Sequence, residues 1–167
     1  MPRSFEGDLD ARGLRFAVIA SRFNDEIVSG LLDGALECLQ RHGADDGAVA
    51  VYRVPGAFEI PSAAAKLVGE CDAIITIGCL IRGDTPHFDF ISAQVTNDLS
   101  RVAADAKFPV TFGVITCNTY EQAVERSSPG TKNKGWEAAL AAIEMANLWR
   151  AISEGGRRRA EGGGDDE

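Results

Sequence analysis

His87 follows Gly83, Thr85 and Pro86 at the point where the apolar run 73–79 gives way to a periodic stretch beginning at Phe88. Thr85 is a good N-cap, Pro86 suits the first helical position, and His87 is then expected as the second residue of a helix. The free backbone N–H groups of a first turn and the positive end of the helix dipole attract phosphate or carboxylate. The same field favours the neutral imidazole that moves protons near pH 7. These residues also fit a well-capped helix with a surface histidine, so the segment gains meaning only beside others. Gly78 and Gly83 have the spacing of a nucleotide P-loop, but Asp84 stands where the phosphate-gripping lysine belongs, which argues against that reading.

Three other segments carry groups of chemical interest. Arg22-Phe23-Asn24 offers an aromatic face beside two hydrogen-bonding side chains, although an exposed Phe also closes core edges. In the segment Val54-Pro55-Gly56-Ala57-Phe58-Glu59-Ile60-Pro61, two prolines fix a loop whose backbone groups could read a polyhydroxylated ligand, or simply make a rigid turn. Arg126, Lys132 and Lys134 place three cations in one stretch of an acidic chain. Arg126 suits bidentate phosphate binding and Lys134 offers a mobile point charge, against the alternative of a solvated loop between helices.

Positioning these loops requires a particular order of elements. A buried strand is expected over 14–20. A helix follows to about His42, with Ile27, Leu31, Leu32, Ala35, Leu36 and Leu39 recurring at three and four and Gly43 as the stop. Further strands are expected over 48–54, 73–79 and from Pro109 to near Cys117. Pro61 opens a short alanine-rich helix, and Phe88, Ile91, Val95, Leu99 and Val102 form the inner stripe of the next. Thr119 to Gln122 has capping-box spacing, and a last helix is expected from Lys134 to about Ile152. Strands alternating with helices imply an α/β fold with a parallel sheet covered on both faces. Right-handed crossovers give the order 2-1-3-4. The switch point then lies between the first and third strands, so the loops carrying Phe23 and His87 converge at their carboxyl ends.

Composition limits the remaining possibilities. The chain has 167 residues, 45% of them hydrophobic, which suits one domain, expected over 1–153, with 154–167 as a disordered tail. No apolar run approaches a membrane span and the acidic start lacks a secretory pattern, so a cytoplasmic location is expected. A net charge of −8 opposes nonspecific nucleic-acid binding. Cys38, Cys71, Cys79 and Cys117 lack Cys-x-x-Cys spacing, so neither a metal site nor a redox pair is expected. A nucleophilic thiol at Cys79 or Cys117, near strand ends, stays an alternative.

Taken in order, Ser21-Arg22-Phe23-Asn24, the loop from Pro55 to Pro61, the stretch from Ile81 to Phe90, and Glu121 to Arg126 followed by Lys134-Gly135 resemble the successive motifs of the lumazine synthase family. The resemblance runs from about Leu14 to Leu148. It implies a three-layer flavodoxin-like fold and the penultimate step of riboflavin synthesis. In that step 5-amino-6-ribitylaminouracil condenses with 3,4-dihydroxy-2-butanone 4-phosphate to 6,7-dimethyl-8-ribityllumazine, phosphate and water. Carried over, Phe23 stacks on the pyrimidine, and Ala57, Phe58, Glu59 and Ile60 hold the ribityl chain. Asn24, Cys79, Leu80 and Ile81 complete that half of the site. Gly83, Asp84, Thr85 and Arg126 hold the phosphate, and His87 moves protons.

The resemblance implies no cofactor and no metal. It also implies a homopentamer in which Phe112, Arg126 and Lys134 enter the site from the neighbouring subunit, with riboflavin synthase a further possible partner. Lys132-Asn133 replaces the family's usual Gly-Asn pair in a loop that helps decide larger assembly, so a free pentamer, a decamer and a sixty-subunit shell all stay open. Two other readings are a non-catalytic flavin or lumazine binder and a structural shell protein. Arg126 beside His87 argues against a pure binder, which needs no phosphate clamp next to a proton shuttle.

Overall fold

A computed structural model describes residues 1–161, with side chains of the last helix through residue 155. Its strands are β1 (Phe16–Ser21), β2 (Val49–Val54), β3 (Ala73–Ile81) and β4 (Val110–Cys117). They form one parallel sheet in the order β2-β1-β3-β4, as the alternating pattern implies. Side chains alternate between two apolar layers, as strand geometry demands. Phe16, Val18 and Ala20 face α1 (Asp25–Arg41) and α5 (Lys134–Glu161). Ala17 and Ile19 face α2 (Ile60–Leu67) and α3 (His87–Ala106). The short α4 (Tyr120–Ser127) starts at Thr119, whose hydroxyl accepts the Gln122 N–H at 3.2 Å while the Gln122 side chain reaches back, the capping box expected from the spacing.

Strand β1 starts two residues later and ends one residue later than the expected 14–20, and further boundaries also differ from the sequence expectation. Strand β3 continues two residues past Cys79, because its ladder with β4 pairs Leu80 with Thr116 and Ile81 with Cys117. Helix α3 begins one residue later than expected. The Pro86 carbonyl accepts the Asp89 N–H at 3.0 Å, which makes Pro86 the cap and His87 the first helical residue. The Thr85 hydroxyl stands 3.5 Å from the His87 N–H, too long for the strong cap expected of it.

Helix α5 runs to Glu161 rather than ending near Ile152, so 154–161 are helical where a disordered tail was expected; residues 162–167 lie outside the described residues. The support is tertiary and invisible to local composition. Asn147 Nδ2 donates to the Asp8 and Asp10 carbonyls at 2.7 and 2.9 Å, and a β-carbon on Gly155 would rest 3.6 Å from the Phe5 ring.

The junction of α1, α4 and α5 is held by Asn133, which is 2% exposed. Its Oδ1 accepts the Gly135 and Trp136 N–H groups at 2.8 and 3.1 Å, capping α5. Its Nδ2 donates to the Gly30, Ser127 and Ser128 carbonyls at 3.0–3.1 Å. The helices approach so closely that a β-carbon on Gly135 would run into the Leu31 carbonyl oxygen. Gly135→Ala is therefore expected to lower stability by about 1–3 kcal/mol, read as a fall in the urea midpoint. Gly47→Ala, at a position with open space around it, serves as the near-neutral control.

Candidate active site at the carboxyl edge of the sheet

The backbone ladder does not stop where the strands do. Arg22 N–H donates to the Val54 carbonyl at 2.8 Å and Phe23 N–H to the Pro55 carbonyl at 3.1 Å, so the loops leaving β1 and β2 run side by side. Asn24 then turns the chain into α1 with a left-handed backbone, φ 58°, a conformation Asn tolerates better than most residues. Its Nδ2 donates to the Cys79 carbonyl at 2.9 Å, tying the exit of β1 to β3.

These ties enclose a cavity of about 620 Å³, within the range of small-molecule sites. Phe23 forms one wall and the β2 loop supplies Gly56, Ala57, Phe58 and Glu59. The end of β3 gives Leu80 and Ile81, and the following turn gives Gly83 and Thr85. His87, Phe88 and Ile91 of α3 close the opposite side. Phe23 and Phe58 are 68% and 61% exposed, so neither ring serves the core, and both offer open faces to a planar ligand. Glu59 Oε2 accepts the Gly56 N–H at 3.0 Å, which sets the loop and leaves the other carboxylate oxygen uncommitted. His87 is exposed at the head of α3, where first-turn N–H groups lack intrahelical partners.

Several residues expected at the site do not present their side chains to the cavity. Ile60 is fully buried in the layer beneath α2 and α3, where it anchors the β2 loop rather than lining the cavity. Cys79 is 1% exposed with its side chain in the opposite layer, so it serves through its carbonyl. The Asn24 side chain is spent on that carbonyl and works as a structural tie. Asp84 is exposed and lies outside the cavity lining.

Phe112, Arg126 and Lys134, expected to enter the site from a neighbouring subunit, lie away from the cavity of their own chain. Phe112 faces a separate hollow with Thr96, Leu99 and Ser100. Arg126 Nη1 donates to the Gln122 carbonyl at 3.1 Å, and Lys134 pairs with Glu137 at 2.9 Å. Gly56, Phe88 and Ile91 line the cavity without having been expected there. The signals were the flexible Gly between the Pro55 turn and Ala57, and the position of Phe88 and Ile91 at the open end of the α3 stripe.

The nucleophilic-thiol alternative fails on burial. Burial pushes the Cys79 thiol up to about 12, with the neighbouring Cys117 a smaller contribution in the same direction. Burial raises Cys117 as well, partly offset by the Arg126 guanidinium. Such thiols stay protonated and unreactive near neutrality. Among the described residues there is no cluster of metal-ligating side chains, and no helix is long and apolar enough to cross a membrane.

The sequence model of the family described as 6,7-dimethyl-8-ribityllumazine synthase matches residues 13–150. A protein of that name from Chlorobium phaeobacteroides is 53% identical over 150 residues, covering 89% of this chain and 97% of its own length. One from Aquifex aeolicus is 51% identical with the same coverage. A third, from Prosthecochloris aestuarii, is 49% identical over 152 residues, covering 90% of this chain and 98% of its own.

The buried thiols generate a pH prediction. Cys38 is also pushed up to about 12 by burial, with Glu37 adding to the shift. Both folded values lie above the ordinary value of 9.0, so the folded state holds these protons after the unfolded chain has lost them. Stability is then unaffected below about pH 9 and falls as pH rises from about 9 towards 12. Urea midpoints across that window should show the fall, and replacing both Cys38 and Cys79 with Ala should flatten it.

Proposed function

Because the chain belongs to the 6,7-dimethyl-8-ribityllumazine synthase family, it is a transferase condensing 5-amino-6-ribitylaminouracil with 3,4-dihydroxy-2-butanone 4-phosphate, and we propose that it does so in the cavity just described. The observation that carries this reading is the pairing of two open aromatic faces with an exposed histidine at a helix head across one cavity. Phe23 stacks on the pyrimidine. The β2 loop binds the ribityl chain through backbone groups of Ala57 and Phe58 and the free oxygen of Glu59. Leu80 and Ile81 form the floor.

The phosphate lies at Gly83 and Thr85, where the turn and the head of α3 present N–H groups and a hydroxyl. His87 carries protons at three points. It assists the attack of the pyrimidine amine on the ketone with loss of one water, the elimination of phosphate, and the closing of the second ring with loss of a second water. The chemistry needs two substrates held in one orientation, so orientation supplies most of the acceleration and the imidazole a smaller share.

The second half of the site comes from a neighbouring subunit. Phe112, Arg126 and Lys134 lie apart from the cavity of their own chain and serve the cavity of the next, within a homopentamer. Support comes from α3 and β2. Only Val95 and Leu99 of the twenty-residue helix are buried in the single chain, Phe90 is 71% exposed, and the edge strand β2 has no buried residue. A cytoplasmic setting suits the four free thiols. The lumazine product then passes to riboflavin synthase, the expected next partner.

Mixing the protein with both substrates should yield fluorescent lumazine well above an enzyme-free control. A folded oligomer that forms no product would overturn the reading, and flavin affinity without turnover would replace it with the binder. His87→Ala should lower kcat by about a hundredfold, the low end for a positioned acid–base group, without abolishing turnover. Sedimentation of the parent protein should give a particle of five chains or a multiple of five.

A further inference from the structure

We propose that Arg82 is a positioning residue for His87, acting through the first turn of α3. The inference rests on the reading of His87 as the proton shuttle. The four residues between them, 83–86, are all exposed and belong to neither apolar layer. No hydrophobic contact within this link therefore fixes the first turn of α3, whose nearest anchor in the apolar layer is Ile91.

Arg82 supplies that fixation with one planar group. Its backbone N–H donates to the Cys117 carbonyl at 2.9 Å, continuing the β3–β4 ladder one step past β3. From that anchor its Nε donates to Asn118 Oδ1 at 3.0 Å and its Nη1 lies 3.1 Å from Asp89 Oδ1. The guanidinium carbon sits 4.6 Å from the centre of the Phe88 ring. Three elements thus meet on a single guanidinium: the exit of β3, the exit of β4 and the two residues that follow His87.

Each contact alone is weak, because Arg82 and Asp89 are about half exposed and such pairs contribute little to stability. Their joint effect is geometric. A fork held at one edge by Asn118 and at the other by Asp89 fixes the plane of the guanidinium, and the stacked Phe88 ring follows that plane. Phe88 and His87 both line the cavity while Arg82 does not, so the guanidinium acts from behind the wall. A lysine would keep the charge opposite Asp89 and lose both the fork and the flat stack.

The test is a double-mutant cycle on steady-state kinetics of the assembled enzyme. Arg82→Gln in the parent should lower kcat about tenfold and leave KM for the pyrimidine within about twofold, and Arg82→Lys should fall between. In a His87→Ala background the same Arg82→Gln change should cost less than about twofold, because the group being positioned is gone. Asn118→Ala removes one arm of the fork without touching the charge. It should lower kcat a few-fold with the same dependence on His87. Circular dichroism and urea midpoints establish that each variant is folded.

Equal losses in both backgrounds would overturn the proposal, as would a folded Arg82→Gln variant with parental kcat. A parent enzyme without activity would instead overturn the proposed function on which this inference rests.

Discussion

The carboxyl edge of this sheet depends on the parallel register that sets β1 between β2 and β3. Phe16 lies opposite Val49 on one side and Ala73 on the other, and the pairing continues in step to Ser21 with Val54 and Ala20 with Ile77. Three strands in step deliver three loops to one edge. The ladder bonds from Arg22 and Phe23 to the β2 loop, and the Asn24 bond to the Cys79 carbonyl, convert that coincidence into a fixed cavity. A slip of one residue would reverse every strand side chain between the two apolar layers, so the core itself enforces the geometry of the site.

The reaction asks for this kind of edge. A planar heterocycle needs an aromatic face, a polyol needs backbone donors and acceptors at close spacing, and a phosphate needs unpaired N–H groups. Loops that leave parallel strands and enter helices supply all three from main chain and a few fixed side chains. The protein carries few reactive groups near the site: the Cys79 and Cys117 thiols are buried with their titration pushed up, and the cavity holds one imidazole. The arrangement favours holding two substrates over activating either, which suits a condensation between an amine and a ketone that are already reactive.

Much of this was legible in the sequence, and what was not has identifiable causes. The strand order followed from alternation and handedness; Ala57, Phe58, Glu59 and His87 of the cavity lining stand in or directly after segments flagged by Gly and Pro, and Phe23 was singled out as an aromatic face beside polar side chains. Ile60, Cys79 and Asn24 were placed at the site through the family resemblance, which does not say which way a side chain points. Strand alternation turns Cys79 into the core, and Asn24 spends its amide on a carbonyl far along the chain. The helical stretch after Ile152 was hidden because local composition does not show the Phe5 ring that lies against it at Gly155. The roles of Asn133 and Arg82 were equally hidden, since each joins segments that only folding brings together.

In the proposed pentamer one chain carries half a site, with Arg126 acting on the cavity of its neighbour. The direct measurement is to co-express a His87→Ala chain with an Arg126→Ala chain and assay the mixed assemblies after mass spectrometry has verified mixing. Random mixing leaves about a quarter of the interfaces with an intact His87 facing an intact Arg126. If the site is shared between subunits, activity returns well above the sum of the two parents. Mixed assemblies no more active than the average of the two variants would show that each chain completes its own site, and would contradict the shared site.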